Sequence, residues 1–521
     1  MLKRLFLAAG ILAGSLGVAS TVGAAVDYSE IIEQESAWIE SLQQPSGAIV
    51  MTREHTYEVE GKRYYKIEPY FANLALVGML ENPDPGKLQT ARKWMEWYFS
   101  HMNAPDYNGA LGSVYVHYAD PVTQAETATP GTLAHGNYDS TDSYAATFLS
   151  LTRKYIESGG DRSFVLGKKA ELETIAGAML STLQPNGLTW AKPDYAIPYL
   201  MDNTEVHTGL VDIEWLERQV FGDAVKANEY EIKKKASLAG IELMWNPAKD
   251  NYDFYECGHC SGGTSDWSSF YPGATAQMYP IWHNILTPPS ERAVRLYQKL
   301  NESHPGWPEL STPDAFPWAI LAYTGALMDD KERVDTFLSS VKSAYLDKSR
   351  GWPYYNLEAG FTIRAAKTVR DKSNLALGAP VLGSTAQHLA GNVTNGVLSD
   401  SWVISKDRNH HLEAEVAEDI VERGQETAGK KGPSKAWLRL DLGTAEPLNR
   451  LLIKWGKDHA KAYTIQTSGD GIHFEDVYKV KGSDGGKDEI ALPGAEARYV
   501  RLIFTDISRK AGMEIREIEI Y

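Results

Sequence analysis

Ala366-Lys367-Thr368-Val369-Arg370-Asp371-Lys372-Ser373-Asn374-Leu375-Ala376-Leu377-Gly378 is where the character of the chain changes. Before Lys367 apolar residues recur at helical spacing. Leu88, Ala91, Met95, Tyr98 and Met102 make one such stripe, and Val334, Phe337, Leu338, Val341 and Tyr345 another. Beyond Ser373 the pattern alternates in twos, as in Trp437-Leu438-Arg439-Leu440-Asp441-Leu442, Leu451-Leu452-Ile453-Lys454-Trp455 and Tyr499-Val500-Arg501-Leu502, between turns of Gly, Asp and Ser. A helical domain over 27–367 and an all-β domain over 373–521 follow.

In the helical part twelve segments are expected, beginning near Tyr28, Glu68, Gly86, Thr141, Phe164, Glu205, Asp223, Pro272, Ser290, Thr312, Asp330 and Pro353. Twelve helices joined as hairpins, with no repeat of fixed period, predict an (α/α)6 toroid rather than a solenoid. Every second helix is then an inner one. The approaches to these helices carry acidic and aromatic residues, namely Glu68, Asp139 and Asp142, Asp202 and Glu205, Asp266 and Trp267, Asp314, and Trp352 and Tyr354. One end of the ring is therefore expected to form a cleft.

Upstream of the helices, Lys3 and Arg4 precede an apolar run from Leu5 to Val18 and the small residues Val22-Gly23-Ala24-Ala25. This order reads as a secretory signal peptide over 1–25, hence a secreted, extracellular protein. No later apolar run approaches the ~20 residues of a membrane span. Acidic residues outnumber basic ones, 68 to 52, for a formal charge of −16, and no basic face is evident. Nucleic acid is thereby excluded as a partner, because its phosphates would be repelled. The 14 Trp and 28 Tyr suit surfaces that stack on sugar rings. A monomer acting on a polysaccharide or oligosaccharide is expected. Cys257 and Cys260 are too few for a zinc site and read as a local disulfide or a paired-thiol loop.

Hydrolysis of a glycosidic bond needs a proton donor and a second carboxylate roughly 5–9.5 Å away. Glu68, in Lys66-Ile67-Glu68-Pro69-Tyr70, is the first candidate acid, since Pro69 suits a first helical position and Glu is a poor cap. Asp139 and Asp142 in Asp139-Ser140-Thr141-Asp142-Ser143-Tyr144-Ala145 are candidates for the base or for positioning the cleaved sugar. Their spacing also fits an ordinary helix cap. Asp202 and Glu205 repeat that spacing and form the next pair. Tyr70, Trp215, Asp266, Trp267, Trp307, Trp352 and Tyr354 are candidate sugar-binding residues, with Trp318 a further stacking platform. No phosphate loop, dinucleotide fingerprint, zinc-protease helix or nucleophile elbow occurs, so no organic cofactor is expected.

Two resemblances add to this reading. Asp139 to Ala145 resembles the acidic start of an inner helix in family 8 and related (α/α)6 six-hairpin glycoside hydrolases, which implies that an acidic residue here contacts the sugar at the cleavage point. In the second domain, Asn374 to Gly378, Asn392-Val393-Thr394-Asn395-Gly396, Trp437 to Gly443, Tyr463 to Gly471, Arg498 to Arg501 and Glu517 to Tyr521 appear in an order that resembles the coagulation factor 5/8 type C (discoidin) domain. Family 32 carbohydrate-binding modules share that jelly roll. The resemblance implies sugar binding and a structural Ca2+ site, with Asn395 where Asp is usual, Asp400 where Thr is usual, and the terminal Glu517. The stretch 405–435 is longer than the family's connection and reads as a solvated insertion with a short helix near Glu413. A secreted glycoside hydrolase is the leading expectation. A polysaccharide lyase on the same toroid ranks second, because an anionic substrate calls for a basic cleft. A non-catalytic carbohydrate-binding or adhesion protein is third.

Overall fold

A computed structural model describes residues 26–256, 263–404, 436–507 and 512–521. The signal-peptide reading, Cys257 and Cys260, and the helix expected near Glu413 lie outside the described residues.

The helical domain contains α1 (Tyr28–Ser41), α2 (Pro69–Met79), α3 (Pro85–Ser100), α4 (Asp142–Glu157), α5 (Arg162–Leu166), α6 (Lys169–Met179), α7 (Leu200–Trp215), α8 (Ala224–Leu243), α9 (Tyr279–Trp282), α10 (Glu291–Ser303), α11 (Ala319–Leu327), α12 (Lys331–Val341) and α13 (Asn356–Ser373). Local chemistry sets most starts. Asp27, Asp84, Asp161, Asp223 and Asp330 accept backbone N–H groups at the caps of α1, α3, α5, α8 and α12.

Among these helices α2 packs on α4, α4 on α7, α7 on α9, α9 on α11, α11 on α13, and α13 back on α2. Other helices lie against this circuit: α1 on α13 and α2, α3 on α2 and α4, α6 on α4 and α7, α8 on α7, and α12 on α11 and α13, while α10 packs on the 3-10 run Thr275–Met278. Composition follows the split. α2 and α11 bury nearly every residue, whereas α10 buries only Ala293, Leu296, Tyr297 and Leu300, one stripe. At the α2–α13 crossing Gly78 and Gly360 meet backbone to backbone, and a Cβ on Gly78 would lie 2.2 Å from the Gly360 carbonyl oxygen.

Several sequence expectations shift. The helix expected from Glu205 begins at Leu200, and that expected from Thr312 begins at Ala319, because 312–318 is turn and Trp318 has φ +60°. The segment expected from Phe164 is two helices, α5 and α6. That expected from Pro272 is a π-helical and 3-10 run over 270–278 leading into the single turn α9. Strands also occur where only loops were expected. β1 (Tyr57–Val59), β2 (Lys62–Ile67), β3 (His117–Ala119) and β4 (Glu126–Thr127) form a four-stranded antiparallel sheet, and β5 (Trp245–Asn246) pairs with β6 (Asn251–Tyr252).

Among its described residues the second domain is all-β apart from α14 (Gln387–Ala390) and a 3-10 turn at Gly391–Thr394. Its strands are β7 (Val381–Gly383), β8 (Trp402–Ile404), β9 (Ala436–Trp455), β10 (Ala460–Ser468), β11 (Glu475–Lys481), β12 (Lys487–Ile507) and β13 (Met513–Ile520), in spatial order β11-β10-β12-β9-β13-β8 with β7 on β9. Leu438 and Leu440 on β9, and Val500, Leu502 and Phe504 on β12, fill the core at every second position.

The two domains meet through buried polar groups. Asp27 accepts hydrogen bonds from Lys454 (2.8 Å) and Lys487 (2.9 Å), Ser29 donates to Glu519, and Tyr28 packs against Tyr521 with ring centroids 6.0 Å apart. Helix α13 runs to Ser373, six residues past the expected end of the domain, and its Arg370 reaches the Gly396 carbonyl of the β domain (3.5 Å).

Candidate active site

The N-terminal ends of α2, α4 and α7 bring together Glu68, Asp142, Asp202 and Glu205. Helix N-termini carry partial positive charge and so favour carboxylates. Capping is not what these residues do. Glu68 sits at the N-cap of α2 but its side chain makes no cap hydrogen bond. It accepts one from the Tyr144 hydroxyl and pairs with Lys66. The N-cap of α4 is Thr141, without a side-chain bond, and Asp142 accepts from the Ser143 N–H (2.8 Å) and the Thr189 hydroxyl (2.7 Å). Glu205 accepts from the Tyr70 hydroxyl. The Tyr70 and Tyr144 rings face each other, centroids 6.1 Å apart at 29°. Asp139 is exposed on the approach to α4.

Burial and mutual repulsion raise the pKa values of this group. Burial first, then the charge of Asp202, pushes Glu205 up to about 8. Burial raises Asp142 to about 8, against the opposing bonds from Thr189 and Ser143 and with Glu205 adding to the rise. Asp202 is held well above the carboxylate range by burial and then by Asp142 and Asp139. Glu68 is raised by burial and by Asp139, while Lys66 opposes the shift. Glu68 alone of the five has a cationic partner among the described residues. Near neutrality such a cluster holds both proton-bearing and charged carboxyl groups.

Aromatic residues ring the same end. Tyr271 is 53% exposed and lies on Trp318, centroids 5.3 Å apart. The charges of Asp202, Asp139 and Glu205 all reach Tyr271. Trp352, 36% exposed, stacks on His55 at 4.4 Å, with Phe316 and Tyr57 edge-on to it. Tyr107, Tyr115, Tyr138 and His135, on the long connection between α3 and α4, form a near-parallel stack. Tyr271, Tyr144 and Lys66 were not singled out from the sequence. Tyr144 lies within the quoted motif and Lys66 two residues before Glu68, so proximity was the available signal.

Five of the expected sugar-binding positions lie elsewhere. Trp215 is at the opposite end of α7, thirteen residues past Asp202 and therefore about 20 Å along the axis. It packs under Arg153, 5.1 Å from the ring centroid. Trp307 is fully buried, bonded to Asn301 (2.8 Å). Tyr354 is fully buried and turned outward to α1, donating to Glu35 (2.6 Å); its neighbour Tyr355 faces the ring instead, against Phe71. Trp267 packs toward α10, with Lys299 5.9 Å from its ring. Asp266 is exposed and accepts the Ser268 N–H (2.9 Å), a turn contact. Tyr70 lies at the carboxylate cluster, bonded to Glu205, and Trp352 in the aromatic group with His55 and Tyr57.

In the β domain the implied calcium ligands are engaged with protein groups. The Asn395 amide donates to Asp400 (2.8 Å) while its Oδ1 accepts the Val397 N–H (2.9 Å). Glu517, fully buried, accepts the Gly396 N–H (3.2 Å) and has the Arg370 guanidinium as a nearby positive charge. A guanidinium from the helical domain thus stands against this loop, and Asn395, Asp400 and Glu517 do not present an open oxygen cage. They do not fit the ion as arranged.

Residues 424–502 match the family described as NedA-like, galactose-binding domain, so the chain carries a C-terminal F5/8 type C, galactose-binding-like domain. Similar solved structures include chitosan-binding module 1 of a chitosanase/glucanase from Paenibacillus sp. IK-5, at 25% identity and TM-score 0.23, covering 28% of this chain and 98% of that one. The module CpGH89CBM32-6 produced by Clostridium perfringens is similar at 20% identity and TM-score 0.21, covering 29% and 98%. No curated protein matches the chain. Among the described residues no helix is long and apolar enough to cross a membrane.

Proposed function

We propose that the chain is an exported glycoside hydrolase in which an (α/α)6 toroid cleaves a polysaccharide and the C-terminal domain holds the sugar. The single observation that carries the catalytic reading is the cluster of Asp142, Asp202 and Glu205, three carboxyl groups with raised pKa values on adjacent helix ends. A pair of carboxyl groups in opposite protonation states is what acid-base cleavage of a glycosidic bond requires. The closed circuit of α2, α4, α7, α9, α11 and α13 supports the toroid, and the aromatic rim suits sugar stacking.

The surroundings of each group suggest a division of roles that differs from the first expectation. Lys66 favours the charged form of Glu68, whereas Asp202 favours the protonated form of Glu205. Glu205 is the better proton donor to the leaving oxygen, and Glu68 the carboxylate that activates water or attacks the sugar. The module in the second domain would raise the local concentration of substrate at the cleft.

Incubating the full chain with neutral, amino-sugar and uronate-containing glycans tests this. New reducing ends without ultraviolet-absorbing products are expected. Unsaturated ends would identify a lyase, and binding without cleavage a carbohydrate-binding protein; either outcome overturns the reading.

A further inference from the structure

We propose that Glu173, Glu217 and Asp223 form a divalent-cation site, suited to Ca2+, at the end of the helical domain remote from the acidic cleft. Glu173 lies on α6, Glu217 in the π-helical turn Leu216–Phe221 that prolongs α7, and Asp223 at the N-cap of α8. One ligand oxygen from each lies within 4.8 Å of the others.

The second and independent observation is the state of Glu217. Its side chain is 0% exposed, yet neither carboxylate oxygen has a hydrogen-bond donor among the described residues. Leaving a buried carboxylate without donors is costly unless a charge compensates it. Among the described residues the nearby cation is Lys169, whose Nζ is 3.5 Å from Glu217, 3.5 Å from Glu173 and 2.6 Å from Asp223. Three carboxylates share one ammonium, so their charge is only partly compensated, and a divalent ion taking the place of Lys169 would leave a single negative charge. The Lys169 side chain is one-third exposed, so it can withdraw into solvent as the ion enters.

The donor set selects the class of ion. Carboxylate oxygens without His or Cys suit hard cations. Opposed oxygens around Ca2+ stand up to about 5 Å apart, but around Mg2+ only about 4.2 Å, and the flexible shell of Ca2+ tolerates ligands from three separate helical segments. π-helical turns often mark functional positions, and the buried Glu217 lies in one. Ion binding would tie α6 and α8 to the end of α7.

The test uses the full chain, stripped with a chelator, dialysed, and titrated with CaCl2 by calorimetry while Tm is followed. Calcium is expected to bind and to raise Tm by mass action. Glu217→Gln and, separately, Glu173→Gln should each weaken binding about tenfold or more, and Lys169→Met should strengthen it by removing the competing ammonium. Glu173 is partly exposed, so its variant keeps the test intact should Glu217→Gln fail to fold. No calcium uptake by the unmodified chain overturns the proposal. So does wild-type affinity in Glu173→Gln, which places any bound ion elsewhere. A Lys169→Met chain that loses stability and binds calcium no better also overturns it, since Lys169 is then the permanent counter-ion.

Discussion

The Tyr70 hydroxyl donates to the Glu205 carboxylate, joining the first turn of α2 to the second turn of α7. Tyr70 in turn faces Tyr144, which donates to Glu68, so two carboxyl groups on different helices are held by one pair of opposed phenols. The Tyr70 bond favours the charged form of Glu205 and opposes part of its upward shift. In Tyr70→Phe the alkaline limb of the pH dependence of kcat/KM should therefore move to higher pH. An unmoved limb would remove Glu205 from the role of acid.

Glu205→Gln and Asp142→Asn should each lower turnover by about a hundredfold or more. Their effect on stability should run the other way. Folded pKa values near 8, against ordinary values near 4, mean that the folded state keeps protons which the unfolded chain releases across that interval. Stability attributable to these groups therefore falls as pH rises from about 4 to 8. Both variants should melt higher than the wild type at pH 8 and show no such gain at pH 4, as read by thermal denaturation. A gain independent of pH would contradict the shifts.

Trp352 and Trp307 should separate binding from packing. Trp352→Ala removes a partly exposed ring beside His55, and is expected to raise KM with Tm within a degree or two. Trp307→Ala empties a fully buried site and should cost about 3–5 kcal/mol, read by denaturant titration. Equal stability losses in the two would put Trp352 in the core.

At the domain boundary burial alone would raise the Asp27 carboxyl, but Lys454 and Lys487 outweigh it and hold it at about 2, below its ordinary 3.8. A depressed carboxylate contributes stability that is present above the ordinary value and is lost as pH falls through the folded one. Asp27→Asn removes the nearest counter-charge of the buried Lys454 ammonium, leaving Glu519 at 3.5 Å, and should cost about 3 kcal/mol at neutral pH. That loss should vanish below about pH 2. A full-strength loss at pH 2 would show that packing, not charge, joins the domains at this point.

The helical and β halves were legible because periodicity is a property of neighbouring residues: the stripes of α3 and α12 and the alternation of β9 and β12 need no knowledge of distant partners. Glu68, Asp142, Asp202 and Glu205 were legible for a related reason, since acidic residues at the starts of alternate helices fall together once those helices form a ring. Trp307 and Tyr354 misled because an aromatic residue carries no sign of which way it faces. Tyr354 and Tyr355 are adjacent, and one backbone step decides which reaches the cleft. The importance of Lys66 and Tyr144 lies in the carboxylate each one touches, Glu68, which stands 76 positions from Tyr144. Glu217 gave no local signal, since its burial depends on the π-helical turn.

The packing of α1 against α13 has a consequence for the order of assembly. The first helix finds its partner more than 300 residues later, and Ser29 meets Glu519 across 490 positions. Contacts so distant in sequence form late, after the cost of closing a very long loop has been met. During synthesis α2 to α12 can pair locally, and α1 can meet α2, while the part of its apolar face that α13 covers stays open. Helix α13 would thus finish α1, and chains that stall short of it would expose the α1 surface most open to aggregation.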